Sequence, residues 1–401
     1  MKILYICHRF PFPPKRGGKI RPFNMIRHLS ATGHQVTVCS LSRAPEEAIE
    51  AQGIAPFCEH FAIGHVRSWV QVLRMVVRLP TRTPSSMGFF YSGELKEKIG
   101  ALLASTKWDL IFVHCSSVAQ YVENFEGVPK ILDFGDMDSH KWLEYASYKP
   151  FPLSLGYRFE GLKMLAAEKR LARKFDLCTA TTRAEWETLN SYETGADTGW
   201  FPNGVDAEFF CPTDGTYDPE TISFIGRMDY YPNQECMFRF CNETWPLLKT
   251  KRPGLKLLIV GADPSSAVRK LEDVSGVTVT GSVPDVRPFV RGSALMVAPL
   301  NIARGTQNKI LEAMAMGVPV VTSGVAAGGV DAKPVEHLLL ADSPYSCAAA
   351  ILSIVEDPVL RNRLSVAGRA RMLSHHAWPS SLNRMDKIIN RGHHKYFEKD
   401  R

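Results

Sequence analysis

Short apolar runs rich in β-branched residues recur along the chain, with helix-like stretches between them. In the first half they are KILYI (2–6), QVTVCSL (35–41), DLIFVH (109–114), KILDF (130–134) and LCTATT (177–182). A second series follows: TISFIGR (221–227), LKLLIVG (255–261), VTVTG (277–281), ALMVAPL (294–300) and VPVVTS (318–323). Runs that are apolar on both faces, and separated by helical stretches, predict strands of parallel sheets. The segment PNGVDAEFF (202–210), with its Pro, Asn-Gly and Asp, predicts the joint between two doubly wound α/β halves. The expected domains are 1–205 and 206–376. After a break at residues 377–380, a last helix from about 381 to 390 lies in a C-terminal piece, 377–401, that returns to the first half. Ligands of open parallel sheets gather beyond the C-terminal strand ends, so two facing sheets predict a cleft between domains. Candidate site residues therefore follow strands: Gly17 and Gly18, His114, Arg227, Val283, and the segment 304–312.

That last segment, within RGTQNKILEAMAMGVPVV (304–321), carries the most chemistry. Gly305, Thr306, Gln307 and Asn308 lie where a helix beginning near Lys309 leaves backbone N–H groups without partners. Such an end attracts an anion through hydrogen bonds and the macrodipole, and Lys309 adds a full positive charge. Glu312, about one turn further on, can accept hydrogen bonds from hydroxyls of a ligand whose phosphates rest on the helix start. A ribose supplies such hydroxyls. An ordinary capped helix packing Ala313, Met314 and Ala315 on a sheet explains the same pattern without a ligand.

Composition narrows the class. At 401 residues, with 45% apolar and 22% charged residues, the chain suits two globular domains. The apolar run Ile3–Cys7 is too short for a signal-peptide core or a membrane span. Nine cysteines without CxxC pairs or regular spacing predict reduced thiols in a cytoplasmic protein, with neither a zinc site nor a disulfide framework. The net charge of +7 is unevenly placed: residues 1–45 hold eight Lys/Arg and no acid. Residues 60–93 also lack acid and interleave Arg67, Arg74, Arg78 and Arg82 with Trp69 and aliphatic residues. That mixture suits an anionic membrane surface, though a solvated helix face gives the same pattern. No recognised nucleic-acid motif accompanies the charge, which argues against nucleic acid as a partner.

The motifs in order carry a resemblance. The Gly17-Gly18 loop before a helix, NGVD (203–206), FIGR (224–227), GSVPDVRPFVRGSALMVAPL (281–300) and NKILEAMAMGVPVV (308–321) resemble retaining glycosyltransferases of family four. The resemblance covers most of the chain. It implies the α/β GT-B fold: two doubly wound Rossmann-like domains facing each other across a cleft, the acceptor side first and the nucleotide-sugar side second. More narrowly, RGTQNKILEAMAMG and GRMDYYPN resemble sugar transferases of bacterial exopolysaccharide and exosortase systems. The implied donor is a nucleotide-diphosphate sugar, and the implied acceptor is a saccharide or lipid-linked saccharide. Glu312 matches the carboxylate on the donor ribose, and Asn308 and Lys309 match the diphosphate-holding helix start. Arg227 matches the phosphate-neutralising arginine, and Gly18 the loop glycine beside the donor. His114 matches the group that reaches the transferred sugar, and Val283 the backbone that meets the nucleobase.

Two positions depart from that pattern. A glutamate is common eight residues before the ribose carboxylate, where this chain has Arg304; with Thr306 and Gln307, Arg304 is then expected to read the sugar differently. A second phosphate-binding lysine is common six residues after the arginine, where this chain has Asn233, so Lys309 is the expected substitute. Asp136-Met137-Asp138 imitates a DxD metal motif, but helix amides and Arg227 already supply positive field, so no metal is expected. Rival readings are a nucleotide-sugar epimerase of the same fold and a non-catalytic nucleotide- or polysaccharide-binding protein. A dinucleotide oxidoreductase would show GxGxxG after a strand, which this chain lacks.

Overall fold

A computed structural model describes residues 1–14, 17–43, 45–303 and 305–399. Its contacts divide the chain into two units, Met1–Phe201 with Leu382–Arg401, and Pro202–Ser381. No helix among the described residues is long and apolar enough to cross a membrane.

The first unit is built on a seven-stranded parallel sheet of β1 (Lys2–Cys7), β2 (Gln35–Ser42), β3 (His60–His65), β4 (Leu110–His114), β5 (Lys130–Gly135), β6 (Leu177–Ala180) and β7 (Asp197–Trp200). Its spatial order is β3-β2-β1-β4-β5-β6-β7. The order reverses between β1 and β4, whose ends pair in register as Cys7 with His114. The second unit holds β8 (Asp218–Ile225), β9 (Lys256–Val260), β10 (Val277–Gly281), β11 (Ser293–Ala298), β12 (Val320–Thr322) and β13 (Leu339–Leu340). These run in the order β10-β9-β8-β11-β12-β13, reversing between β8 and β11. Both sheets thus have a switch point, where doubly wound folds place ligands. The inner strands are almost wholly buried because helices cover both faces, and each unit has its own apolar core.

Three strands lie outside the apolar runs: β3, β7 and β13. All are at or next to a sheet edge, where one side stays wet and no continuous apolar run is required. The run LCTATT ends as a strand at Ala180, and Thr182 instead caps the helix Arg183–Asn190. The last helix is also longer than expected, Trp378–Lys399. The break falls earlier, in the π-helical turn Met372–His376 and the extended Ala377. Pro379 suits a first helical turn, where its missing N–H costs nothing.

Candidate active site

In the second unit, β8 runs out into Gly226 and Arg227. Gly261, at the end of β9, packs so closely that a Cβ there would lie 1.7 Å from the Gly226 carbonyl oxygen. Only glycine permits that approach, and it fixes the backbone from which Arg227 projects. The Arg227 guanidinium is half-exposed. It donates to Asp229 at 3.0 and 2.7 Å and to Asp263 at 2.5 Å. Sequence reasoning missed both partners. They hold the fork in one direction, so an arriving phosphate meets a positioned group but must share it with two carboxylates.

The helix Asn308–Ala315 follows β11 and begins without help from a side chain. Gln307 stands at its N-cap and makes no capping hydrogen bond. Elsewhere Thr182, Ser323 and Asp357 close helix starts with side-chain oxygens. Other helices, among them Ser68–Arg78 and Leu153–Lys174, also start without a side-chain cap, but this start stands at the end of β11 beside the sheet's switch point, where its first-turn N–H groups can meet an anion. Beside it, Thr306 Oγ1 and Asn308 Oδ1 are buried with no hydrogen-bond partner. A buried unsatisfied polar atom costs about 1–3 kcal/mol, which a bound ligand can offset. Gly305 shapes this loop from the left-handed region, at φ 60°. Its carbonyl oxygen would sit 1.9 Å from any Cβ on Gly329, so position 329 also tolerates no side chain. Arg304 lies outside the described residues.

Lys309 reaches from this helix to β8. Its Nζ donates to Asn233 Oδ1 at 2.6 Å and lies 4.5 Å from the centre of the Phe224 ring. Asn233 in turn donates to the Arg227 carbonyl at 2.8 Å. The amide at position 233 is thus a bridge that brings the Lys309 ammonium to the base of the arginine loop. Burial lowers the Lys309 pKa to about 8, partly opposed by Cys236 and Glu312. Burial likewise raises the Glu312 pKa to about 7, and Lys309 opposes that rise. Perturbed groups beside an open helix start mark a functional-site candidate. Val283 follows β10 and packs half-buried on the core.

In the first unit, Gly17 opens the helix Gly17–Ala31. Gly18 is exposed, and a Cβ there would meet, among the described residues, only the Arg9 side chain, Cδ at 3.6 Å and a guanidinium nitrogen at 3.9 Å, so packing among them does not demand glycine. His114 ends β4, buried, with Nδ1 2.8 Å from Asp133 Oδ2. Asp133 also accepts from Arg21 Nε at 2.9 Å, from a second Arg21 nitrogen at 3.1 Å and from Thr179 at 2.9 Å. Burial alone raises the Asp133 pKa, but Arg21 and His114 outweigh it and hold the group well below the carboxylate range. An acceptor-only carboxylate requires the proton on His114 Nδ1, which leaves Nε2 for a ligand. The His8 ring lies 5.8 Å from that of His114, and burial pushes its pKa well down. Arg21, His8 and Thr179 escaped the sequence reading. Asp133 was legible as a charge inside KILDF, a strand buried on both faces. Asp136 and Asp138 follow β5, with pKa values raised by burial.

Two doubly wound parallel sheets with these loops define a GT-B glycosyltransferase. The family Glycosyltransferase Family 4 matches residues 16–209, and Glycosyl transferases group 1 matches residues 219–357. The chain belongs to the group 1, family 4 glycosyltransferases. It is 25% identical over 214 residues to the GDP-mannose-dependent monoacylated alpha-(1-6)-phosphatidylinositol monomannoside mannosyltransferase of Corynebacterium glutamicum. That match spans 47% of this chain and 55%, about half, of the relative. Among solved structures, sucrose-phosphate synthase from Thermosynechococcus elongatus shares the fold at TM-score 0.71 and 19% identity, over 98% of this chain and 99% of that one. Anabaena HepE in complex with UDP does so at TM-score 0.68 and 13% identity, over 97% and 100%.

Proposed function

We propose that the protein transfers a hexosyl group from a nucleotide-diphosphate sugar to a saccharide hydroxyl, with retention of configuration, in exopolysaccharide or surface-glycan synthesis. The observation that carries this reading is the start of the helix Asn308–Ala315, which has no side-chain cap and where Thr306 Oγ1 and Asn308 Oδ1 are buried without partners, together with the Lys309 ammonium held on Asn233. In this reading the helix amides and Lys309 hold the diphosphate, Glu312 accepts from the ribose hydroxyls, and Val283 meets the base. Gly17 and Gly18 admit the donor to the first unit's loop. His114 offers Nε2 to the transferred sugar, while Gly305, Thr306 and Gln307 border it.

The sugar C1–O bond to the β-phosphate breaks, and a C1–O bond to the acceptor forms on the same face. The acceptor proton goes to the departing phosphate oxygen. Charge builds on the nucleoside diphosphate, where Arg227 and Lys309 stabilise it without reorganising. The acceptor is a saccharide carried on a lipid, a reading supported by the lipid glycoside named as substrate of the corynebacterial relative. Incubation with nucleotide sugars and lipid-linked acceptors, followed by NMR of the product's anomeric proton, tests the assignment. A new glycoside of the donor's anomeric configuration is expected. Inversion would overturn retention, and donor conversion without any acceptor would favour an epimerase.

Two further results follow. Glu312 accepts ribose hydroxyls most strongly when ionised, and Lys309 must be protonated to hold phosphate by charge. With Glu312 near 7 and Lys309 near 8, nucleoside diphosphate affinity should peak between them, falling as pH drops below 7 and again as it rises above 8. Calorimetric titration from pH 6 to 9 checks this; a flat profile contradicts it. Transfer should also survive EDTA, because protein groups supply the positive field that a divalent ion gives in metal-dependent transferases. Loss of rate in EDTA, restored by Mg²⁺ or Mn²⁺, would show the opposite.

A further inference from the structure

The helix Ser68–Arg78 is turned inside out. Gln71 is 0% exposed and donates Nε2 to the Phe89 carbonyl at 2.6 Å. Arg74 donates to the Tyr91 carbonyl and lies 5.1 Å from the centre of its ring. A Cβ on Gly88 would come within 2.8 Å of Arg78 Cδ. These residues, spaced i, i+3 and i+7, form the stripe that an ordinary surface helix fills with apolar side chains. The apolar side faces water instead: Trp69 is 65% exposed and Val77 63%, with Val72, Leu73 and Val76 beside them and Leu79 beyond. Apolar side chains of this size ordinarily gain from burial, so leaving them all in water forgoes stabilisation that a covering surface would restore.

A neighbouring element extends the patch. Lys163, on the helix Leu153–Lys174, donates to the carbonyls of Arg78 and Leu79 at 3.2 and 3.5 Å. The first turns of that helix also expose Leu153, Leu155, Phe159 and Leu162, and Phe151 before it is 79% exposed. Arg67, Arg82 and Arg158 are exposed on the same two segments. No acid occurs between residues 60 and 93 or between 145 and 159.

We propose that this face docks the first unit on an anionic lipid bilayer. Trp69, Val72, Leu73, Val76 and Val77 enter the boundary of the acyl chains, and the arginines stand at the level of the lipid phosphates. Charge selects the lipid over a second copy of the chain, because self-association would bring arginines against arginines with no acid to receive them. The inference stands on geometry and does not rest on the transfer reaction.

Flotation with vesicles of phosphatidylcholine, with and without phosphatidylglycerol, tests it on the full chain. The wild type is expected to float with anionic vesicles, less at high salt, and little with neutral ones. The double variant Leu73→Glu with Val77→Glu should lose flotation at least tenfold, with its melting temperature and nucleoside diphosphate binding unchanged, since both side chains are already in water. Arg67→Gln with Arg158→Gln should weaken flotation on anionic vesicles only. Wild type that stays with the buffer, or a double variant that floats equally well, would overturn the proposal. So would a wild-type dimer in sedimentation equilibrium that the double variant turns into a monomer.

Discussion

Substitution of Arg227 by alanine is expected to lower the rate of sugar transfer by about 10²–10³-fold while shifting the melting temperature by only about a degree. The two effects separate because of where the guanidinium sits. Its pairs with Asp229 and Asp263 are half-exposed, and exposed pairs contribute about 0–1 kcal/mol to folding. In the proposed transfer the same fork would face the charge that develops as the nucleoside diphosphate leaves, its direction already set by its carboxylate partners. Lysine at this position should recover only part of the rate, since a single ammonium lacks the planar fork. Initial rates of nucleoside diphosphate release for wild type, Arg227→Ala and Arg227→Lys, with melting curves for each, check the prediction. An alanine variant that keeps more than about a tenth of the rate would remove Arg227 from the reaction.

Asp133→Ala is expected to act chiefly on folding, destabilising the first unit by roughly 3–5 kcal/mol. The carboxylate is 0% exposed and accepts from Arg21, His114 and Thr179. Without it the buried Arg21 loses its carboxylate counter-charge and keeps, among its contacts, the Phe201 carbonyl at 3.1 Å and the face of the Phe201 ring. Loss of the carboxylate that faces this buried cation dominates the effect. Because the native pKa of Asp133 lies below its unfolded value, this contribution is present above about pH 4 and disappears as the solution is acidified through the native pKa. Wild type and variant should therefore converge in urea stability at low pH. Adding Arg21→Met to Asp133→Ala should restore part of the loss by removing the stranded charge. A single variant within about 1 kcal/mol of wild type near neutral pH would contradict this reading of the centre.

The contrast between these residues shows what a sequence can reveal. Inner strands such as β4 and β11 were legible because burial on both faces demands an unbroken apolar run. The edge strands His60–His65 and Asp197–Trp200 carry no such demand and read as loop. The helix start after β11 was legible from TQNK followed by an apolar stripe. The pairing of Arg227 with Asp229 and Asp263 was not, because it depends on how the β8 and β9 loops approach across Gly261. The sequence showed arginines interleaved with Trp69 and aliphatic residues in 60–93, which fits a membrane-facing surface or a solvated helix face, and it did not decide between them. A stripe of apolar residues normally turns inward, and only the burial of Gln71 shows that here it turns outward.

The central claim is that a nucleoside diphosphate rests on the start of the helix Asn308–Ala315. Isothermal titration calorimetry with UDP, GDP, ADP and NAD, on wild type, Lys309→Ala and Glu312→Ala, tests it most directly. Binding of at least one nucleoside diphosphate to the wild type, weakened about tenfold or more in both variants, is the predicted result, with no heat from NAD. Binding that both variants keep, or a wild type that binds NAD alone, would place the ligand elsewhere and contradict the account.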